Sequence, residues 1–187
     1  MIVDPVLAWS LRVALSLLLG WAAWHKLRDV AAFAAAVENY RLLPPVWTVP
    51  AAAGLIAVEC GLTVGLWLPG VAHVAALGTA ALFGLYAAAM AAALRSGRRD
   101  VDCGCAGPAH RQSVRPALVA RNVVLVAAAL LAALPTGHRP LGGLDWLMMV
   151  MAPLVAGCLY AAIDGLLANG PRLAALARLR RPEAAGG

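Results

Sequence analysis

Charged and aromatic residues are scarce in this chain of 187 residues. Asp, Glu, Lys and Arg together make up 13% of the sequence, and Phe, Trp and Tyr make up 6%. A soluble domain carries about a quarter charged residues. A soluble fold of this length could not bury a chain that is 63% hydrophobic, with a mean hydropathy of +0.80. The composition therefore excludes a soluble enzyme and predicts a protein whose solvent is lipid.

Several common functional signatures are also missing from the sequence. It contains no Ser/His/Asp triad pattern, no phosphate-binding glycine loop and no clustered set of metal ligands. The N-terminus lacks the basic region and the cleavage site of a signal peptide, so the first apolar run is interpreted as a retained span. The formal net charge of +6 does not indicate nucleic-acid binding, because the basic residues lie in short clusters between apolar runs.

The long apolar runs predict an all-α integral membrane protein that forms a single domain over residues 1–187. We expect a four-helix bundle core and a fifth, C-terminal transmembrane helix. A helix over residues 31–40 is too short to cross and ends before the prolines at 44 and 45. Residues 168–187 are predicted to form a basic cytoplasmic tail. The predicted spans are 5–24, 48–68, 71–94, 116–134 and 144–167.

Basic residues fall overwhelmingly on one side of these five spans. The opposite side carries only Arg139, apart from Arg12 inside the first span. Because cytoplasmic loops carry an excess of Lys and Arg, the N-terminus is predicted outside and the C-terminus in the cytoplasm of a bacterial inner membrane. The basic residues on the predicted cytoplasmic side are Lys26, Arg28, Arg41, Arg95, Arg98, Arg99, Arg111, Arg115, Arg172, Arg178, Arg180 and Arg181.

The sharpest chemical feature is the sequence Cys103-Gly104-Cys105 in the polar loop between the third and fourth spans. Two thiols one residue apart can close a small, strained and easily reduced disulfide ring, and the glycine permits the backbone that this requires. Asp102 precedes the pair, and nearby arginines favour the reactive thiolate. The pattern predicts thiol–disulfide chemistry. A soft-metal site for copper, zinc or mercury is the alternative.

Two further cysteines, Cys60 and Cys158, lie inside the second and fifth spans. Buried cysteines most often behave as small inert hydrophobic residues. The alternative is that one or both act as relay thiols within the membrane. The sequence leaves both interpretations open.

Ionisable residues within the spans predict a polar core. Glu59 lies near the middle of the second span, where a carboxylate is costly and a partner or a proton-handling role is expected. We expect Arg121, with Asn122 beside it in the fourth span, to supply the counter-charge. His25 and Lys26 close the first span and are expected at the lipid headgroups.

The order of these motifs resembles that of the MauE family, which is similar to the broader DoxX-like membrane proteins. A span ending in HKL precedes a helix ending in YRLLP and a span with a central glutamate. The sequence DCGCAG and an Arg-Asn pair at the head of the next span follow. The resemblance extends from about Val6 to Leu134. The sequence departs from the family pattern at Ala106, where an aromatic residue is usual, and in its fifth span and basic tail.

The resemblance implies a redox-associated membrane protein of methylamine utilisation that matures a partner protein together with a thioredoxin-like protein. The leading hypothesis is a thiol–disulfide oxidoreductase or electron conduit. In this hypothesis, Cys103 and Cys105 exchange electrons with a thioredoxin-like partner or with a membrane quinone, which would be the cofactor. A soft-metal binding or transport protein is the first alternative, and a structural membrane subunit is the second.

Overall fold

The structure, a computed structural model, describes residues 2–98 and 114–179. These residues contain no β-strand beyond an isolated bridge between Val3 and Thr136. The elements in chain order are α1 (Pro5–Arg28), α2 (Val30–Asn39), a 3₁₀ turn (Pro45–Trp47), α3 (Thr48–Gly65), α4 (Ala72–Arg95), α5 (Pro116–Ala132) and α6 (Gly143–Leu179).

Local sequence signals determine where the first helices begin and end. Asp4 caps α1 by accepting a hydrogen bond of 2.8 Å from the backbone N–H of Val6, and Pro5 follows it at the first helical position. Asp29 caps α2 in the same way, at 2.9 Å from the N–H of Ala32. Arg41, with φ 49°, turns the chain away after α2. The short helix predicted over 31–40 is therefore present.

Among the described residues, four helical segments are long and apolar enough to cross a membrane: Pro5–Arg28, Pro45–Gly65, Ala72–Arg95 and Gly143–Leu167. This result confirms an all-α, multi-pass membrane protein. The fourth predicted span corresponds to α5, which has only 17 residues, or about 26 Å. The backbone of α6 continues as helix to Leu179, into the segment that was expected to be a separate tail.

The predicted four-helix core with a peripheral fifth helix is confirmed. Helices α1, α3, α4 and α5 bury the main apolar cluster, whereas α6 packs against α1 and leaves most of its apolar side chains exposed to lipid. Alanines let these helices approach closely. The largest members of the buried cluster are Leu15, Leu19, Leu66, Leu82 and Phe83.

The bundle has two ends, which we call the N-terminal face and the loop face. At the N-terminal face, Arg139 donates hydrogen bonds of 2.8 Å to both Asp4 and Asp145, which ties the start of α1 to the start of α6. The hydrogen bond from Arg139 holds the pKa of Asp4 below its usual value. His73 bonds to the carbonyl oxygen of Ala133 nearby, at the end of α5.

The loop face carries the opposite helix ends. Arg98, just after α4, donates to the carbonyl oxygen of Tyr40 at 3.1 Å, and Arg115, just before α5, donates to that of Leu167 at 3.5 Å. Helix α5 therefore runs from the loop face to the N-terminal face despite its length. Both described ends of the α4–α5 connection lie on the face that also carries α2.

Candidate functional site

A buried ion pair between Lys26 and Glu59 joins α1 to α3. Their side chains are 2% and 1% exposed, respectively. Lys26 Nζ donates to Glu59 Oε1 and, at 3.3 Å, to the hydroxyl oxygen of Tyr86 on α4. The Tyr86 hydroxyl in turn donates to Glu59 Oε1 at 2.7 Å. The three groups form one hydrogen-bonded cluster that links three helices.

The position of Lys26 follows from the helical period of α1. Leu15, Leu19, Ala23 and Lys26 are buried at spacings of three and four residues, so they share the face that packs into the bundle. The ammonium group of Lys26 also lies 4.7 Å from the centroid of the Phe33 ring and 4.9 Å from that of Tyr86. Such aromatic faces attract a cation that has lost its water.

The second carboxylate oxygen of Glu59, Oε2, takes no part in this cluster. The residue is fully buried, and its Oε2 accepts no hydrogen bond from any residue within the described ranges. Buried polar atoms in proteins nearly always have a partner, and an orphaned carboxylate oxygen is costly. The atom therefore marks a place where a donor from outside the chain would be stabilised.

A second ion pair, between Arg121 and Asp164, joins α5 to α6. The Arg121 side chain is 10% exposed, and its guanidinium carbon lies 5.3 Å from the ring centroid of Tyr160 on α6. The neighbouring Asn122 is 2% exposed and donates to the carbonyl oxygen of Leu118 at 2.9 Å. This pair connects the peripheral helix to the core at the same level as the polar cluster.

Both ion pairs border one cavity of about 310 Å³ among α1, α3, α4, α5 and α6. The walls are mixed, with apolar and aromatic side chains surrounding the charged groups. The lining residues with a polar or aromatic side chain are Trp21, His25, Lys26, Glu59, Phe83, Tyr86, Arg121, Asn122, Tyr160 and Asp164. We call this space the polar cavity.

The polar cavity brings together His25, Lys26, Glu59, Arg121 and Asn122, all of which the sequence had indicated. The expected pairing of Glu59 with Arg121 was wrong, because Lys26 bonds to Glu59. Lys26 was expected at the headgroups, but α1 continues beyond the predicted span end at residue 24 and turns this side chain inward.

The cysteines do not line the polar cavity within the described part of the chain. Cys60 is partly buried and packs beside Phe33 and Ile56, and Cys158 is exposed on α6. Neither arrangement tests a relay role. Cys103, Cys105 and Asp102 lie outside the described residues.

Two residues of the site were missed in the sequence. Asp164 lies near the end of the predicted fifth span, and an acid inside an apolar run is itself a signal of a buried partner. Tyr86 carries no such signal, since a single tyrosine in a span is common. Among the described residues, no three His, Cys, Asp or Glu side chains converge on a metal position. The metal alternative concerns Cys103 and Cys105, beyond that part of the chain.

These observations define a class: a multi-pass, all-α membrane protein with a polar cavity inside its helical bundle. A family model described as "Methylamine utilisation protein MauE" matches residues 4–135. The chain belongs to the MauE family.

Curated relatives carry the same description. The chain is 41% identical over 136 residues to the "Methylamine utilization protein MauE" of Paracoccus denitrificans, which covers 73% of this chain and 72% of that protein. It is 37% identical over 177 residues to the protein of that name in Paracoccus versutus, with 92% and 95% covered. The Methylorubrum extorquens protein is 35% identical over 179 residues, with 92% and 89% covered. No solved structure gives a significant match.

Proposed function

We propose that this protein is a membrane thiol–disulfide oxidoreductase, or electron conduit, that supports disulfide formation in a partner protein. The observation that carries the proposal is the Cys103-Gly104-Cys105 sequence in the connection between α4 and α5. Membership of a family named for methylamine utilisation supports a role in that process, and we propose a bacterial inner membrane as the location. The partner is a thioredoxin-like protein.

The proposed chemistry is an exchange of two electrons. A thiolate of the partner attacks the Cys103–Cys105 disulfide, and a mixed disulfide forms as one cysteine leaves as a thiolate. The second partner thiol then displaces the remaining cysteine, which leaves the partner oxidised and the pair as a dithiol. Arg98 and Arg99 precede the pair in sequence, and positive charge favours the thiolate form.

The polar cavity supports an electron-conduit role because it lies in the same half of the molecule as the ends of the α4–α5 connection. Lys26 lies in the last turn of α1, close to the loop face on which the α4–α5 connection begins and ends. Redox exchange of thiols moves protons together with electrons. Carboxyl groups inside membrane spans commonly belong to proton pathways, and Glu59 is such a group.

Single serine substitutions test the proposal. In Cys103→Ser or Cys105→Ser, the remaining thiolate is expected to attack the disulfide of the oxidised partner, and one partner sulfur leaves as a thiolate. The resulting mixed disulfide lacks the second cysteine of the pair that would resolve it. This adduct should appear as a band of higher mass on a non-reducing gel and should vanish with reductant. The double variant Cys103→Ser/Cys105→Ser is the matched control and should give no adduct. If the single variants also give none in cells that make the partner, the exchange proposal fails.

The proposed orientation has the N-terminus outside and the C-terminus, with the α4–α5 connection, in the cytoplasm. The basic residues of the sequence favour this orientation. Even without the buried Lys26, far more basic residues lie on the predicted cytoplasmic side than on the opposite side. A reporter that is active only in the cytoplasm is expected to be active when fused after Gly187. Activity of a periplasm-specific reporter at the same position would reverse the orientation.

A further inference from the structure

We propose that the polar cavity binds the ring of a membrane quinone, with Glu59 Oε2 as its hydrogen-bonding partner. The site is built from buried groups of this chain, and it lies within the helices that face lipid. The binding claim stands on the cavity alone. The electron transfer claim rests on the proposed thiol–disulfide function.

The unpartnered oxygen of Glu59 determines which polar group the ligand must carry. As a carboxylate, Oε2 accepts a hydrogen bond from a hydroxyl group; as a carboxylic acid, it donates one to a carbonyl group. A quinone presents two carbonyl oxygens, and its reduced form presents two hydroxyl groups. In its ion pair with Lys26, Glu59 is a carboxylate, so Oε2 accepts a hydrogen bond from a hydroxyl group of the reduced ring.

The charges around the cavity favour a neutral ligand. Lys26 is matched by Glu59, and Arg121 is matched by Asp164, so the two ion pairs leave no net charge on the cavity wall. An anionic lipid headgroup or a free ammonium ion would enter without a compensating charge, which is costly in a site removed from water. A quinone ring is neutral in both of its stable redox states.

The shape and lining of the cavity fit a flat ring. Its volume of about 310 Å³ lies at the lower end of small-molecule sites. Trp21, Phe83, Tyr86 and Tyr160 contribute aromatic side chains to its walls, and aromatic rings stack on flat ligands at short range. Trp21 is also 65% exposed, so it stands where the cavity opens towards lipid.

The proposed reaction is balanced. When the Cys103/Cys105 dithiol forms its S–S bond, it loses two electrons and two protons. The quinone gains two electrons and two protons, and its two C=O groups become C–OH groups. Glu59 Oε2 accepts a hydrogen bond from one of the new C–OH groups, while the Tyr86 hydroxyl and the Lys26 ammonium group are bonded to its other oxygen. No further oxidant or reductant is needed.

Tryptophan fluorescence of the full-length protein tests the binding claim. The protein is placed in nanodiscs of quinone-free phosphatidylcholine and titrated without oxygen with decylubiquinol, the reduced form of the short-tailed quinone decylubiquinone, whose hydroxyl groups can donate to the Glu59 carboxylate. We expect saturable quenching that is largely lost in Trp21→Phe. Glu59→Leu should raise the Kd at least about tenfold, the loss expected for one charge-assisted hydrogen bond. Thr79→Val, a buried substitution away from the cavity, should leave the Kd unchanged.

Two further variants keep the test decisive if Glu59→Leu does not fold. Tyr86→Phe removes only a hydroxyl group, and Lys26→Met/Glu59→Leu removes both charges together. Each should weaken binding while the protein remains monodisperse in detergent. Quenching that rises linearly with decylubiquinol in the wild type, or a Kd unchanged in all three variants, would overturn the quinone site.

The thiol chemistry is separated from the quinone site by one more variant. Cys103→Ser/Cys105→Ser should bind decylubiquinol with the wild-type Kd, since neither cysteine is proposed to touch the ring. Weaker binding in this variant would contradict the proposed site. Conversely, saturable binding in a protein whose cysteines do not cycle would refute the proposed function and leave the quinone site in place.

Discussion

Lys26→Met is expected to destabilise the folded bundle by roughly 3–5 kcal/mol, the usual cost of leaving one member of a buried ion pair without its partner. The substitution keeps the length and most of the volume of the side chain, so little packing is lost. What changes is the environment of Glu59, whose side chain is 1% exposed and would keep, among the described residues, the Tyr86 hydroxyl as its one donor. The measurement is the midpoint of thermal unfolding in detergent, followed by size-exclusion chromatography.

The double variant Lys26→Met/Glu59→Leu should recover most of this loss. Replacing both members of a buried pair by apolar residues of similar size is often neutral or stabilising, because neither charge must then be desolvated. The double variant should therefore fold well but fail to bind decylubiquinol. This outcome would show that the pair is retained for function and not for stability.

An exposed ion pair of the same chain provides the matched control. The Arg139 and Asp4 side chains are 39% and 48% exposed, and Arg139→Met should change the unfolding midpoint only slightly. If Lys26→Met is as stable as Arg139→Met, leaving Glu59 without its ion-pair partner does not lower the free energy of unfolding as predicted. A double variant as unstable as Lys26→Met would contradict the rescue.

The sequence predicted the helices well because their signals are local. Each predicted span overlaps one observed helix, and the start of α5 at Pro116 agrees with the prediction to the residue. Proline at the first helical position and long apolar runs determine these bounds without reference to the rest of the fold. The continuation of α6 to Leu179 was not predicted, because the basic tail was interpreted separately from the span before it.

The partners in the site could not be predicted in the same way. Sequence position gives the depth of a residue in the membrane, but the rotation of each helix determines which residue it meets. Glu59 was correctly identified as needing a counter-charge, yet Lys26 and Arg121 were both available. The buried stripe of Leu15, Leu19 and Ala23 shows that Lys26 faces inward, but α1 is apolar on all sides, so its sequence does not distinguish that stripe.

The second large effect concerns the thiols themselves. In purified wild-type protein, Cys103 and Cys105 are expected to resist alkylation after mild oxidation and to react fully after reduction. The reason is geometric: two thiols separated by one glycine close readily into a disulfide that reductant opens again. A bound soft metal would also protect the thiolates, but chelator and not reductant would release them.

Cys60 and Cys158 are free thiols that would also be alkylated, so they have to be replaced before the measurement. The Cys60→Ala/Cys158→Ala variant leaves only the proposed pair, and small apolar replacements suit both the partly buried and the lipid-exposed position. We expect this variant to cycle as the wild type does. A loss of cycling would instead assign a relay role to one of the two cysteines.

The most direct measurement is the intact mass of Cys60→Ala/Cys158→Ala that is mildly oxidised and then alkylated in detergent with reductant, with chelator or with neither. We expect two labels with reductant and none with chelator alone or with neither. Two labels with chelator alone would identify a metal site, and two labels with neither, after oxidation, would show that the thiols do not pair. Either result would contradict thiol–disulfide exchange as the function of this protein.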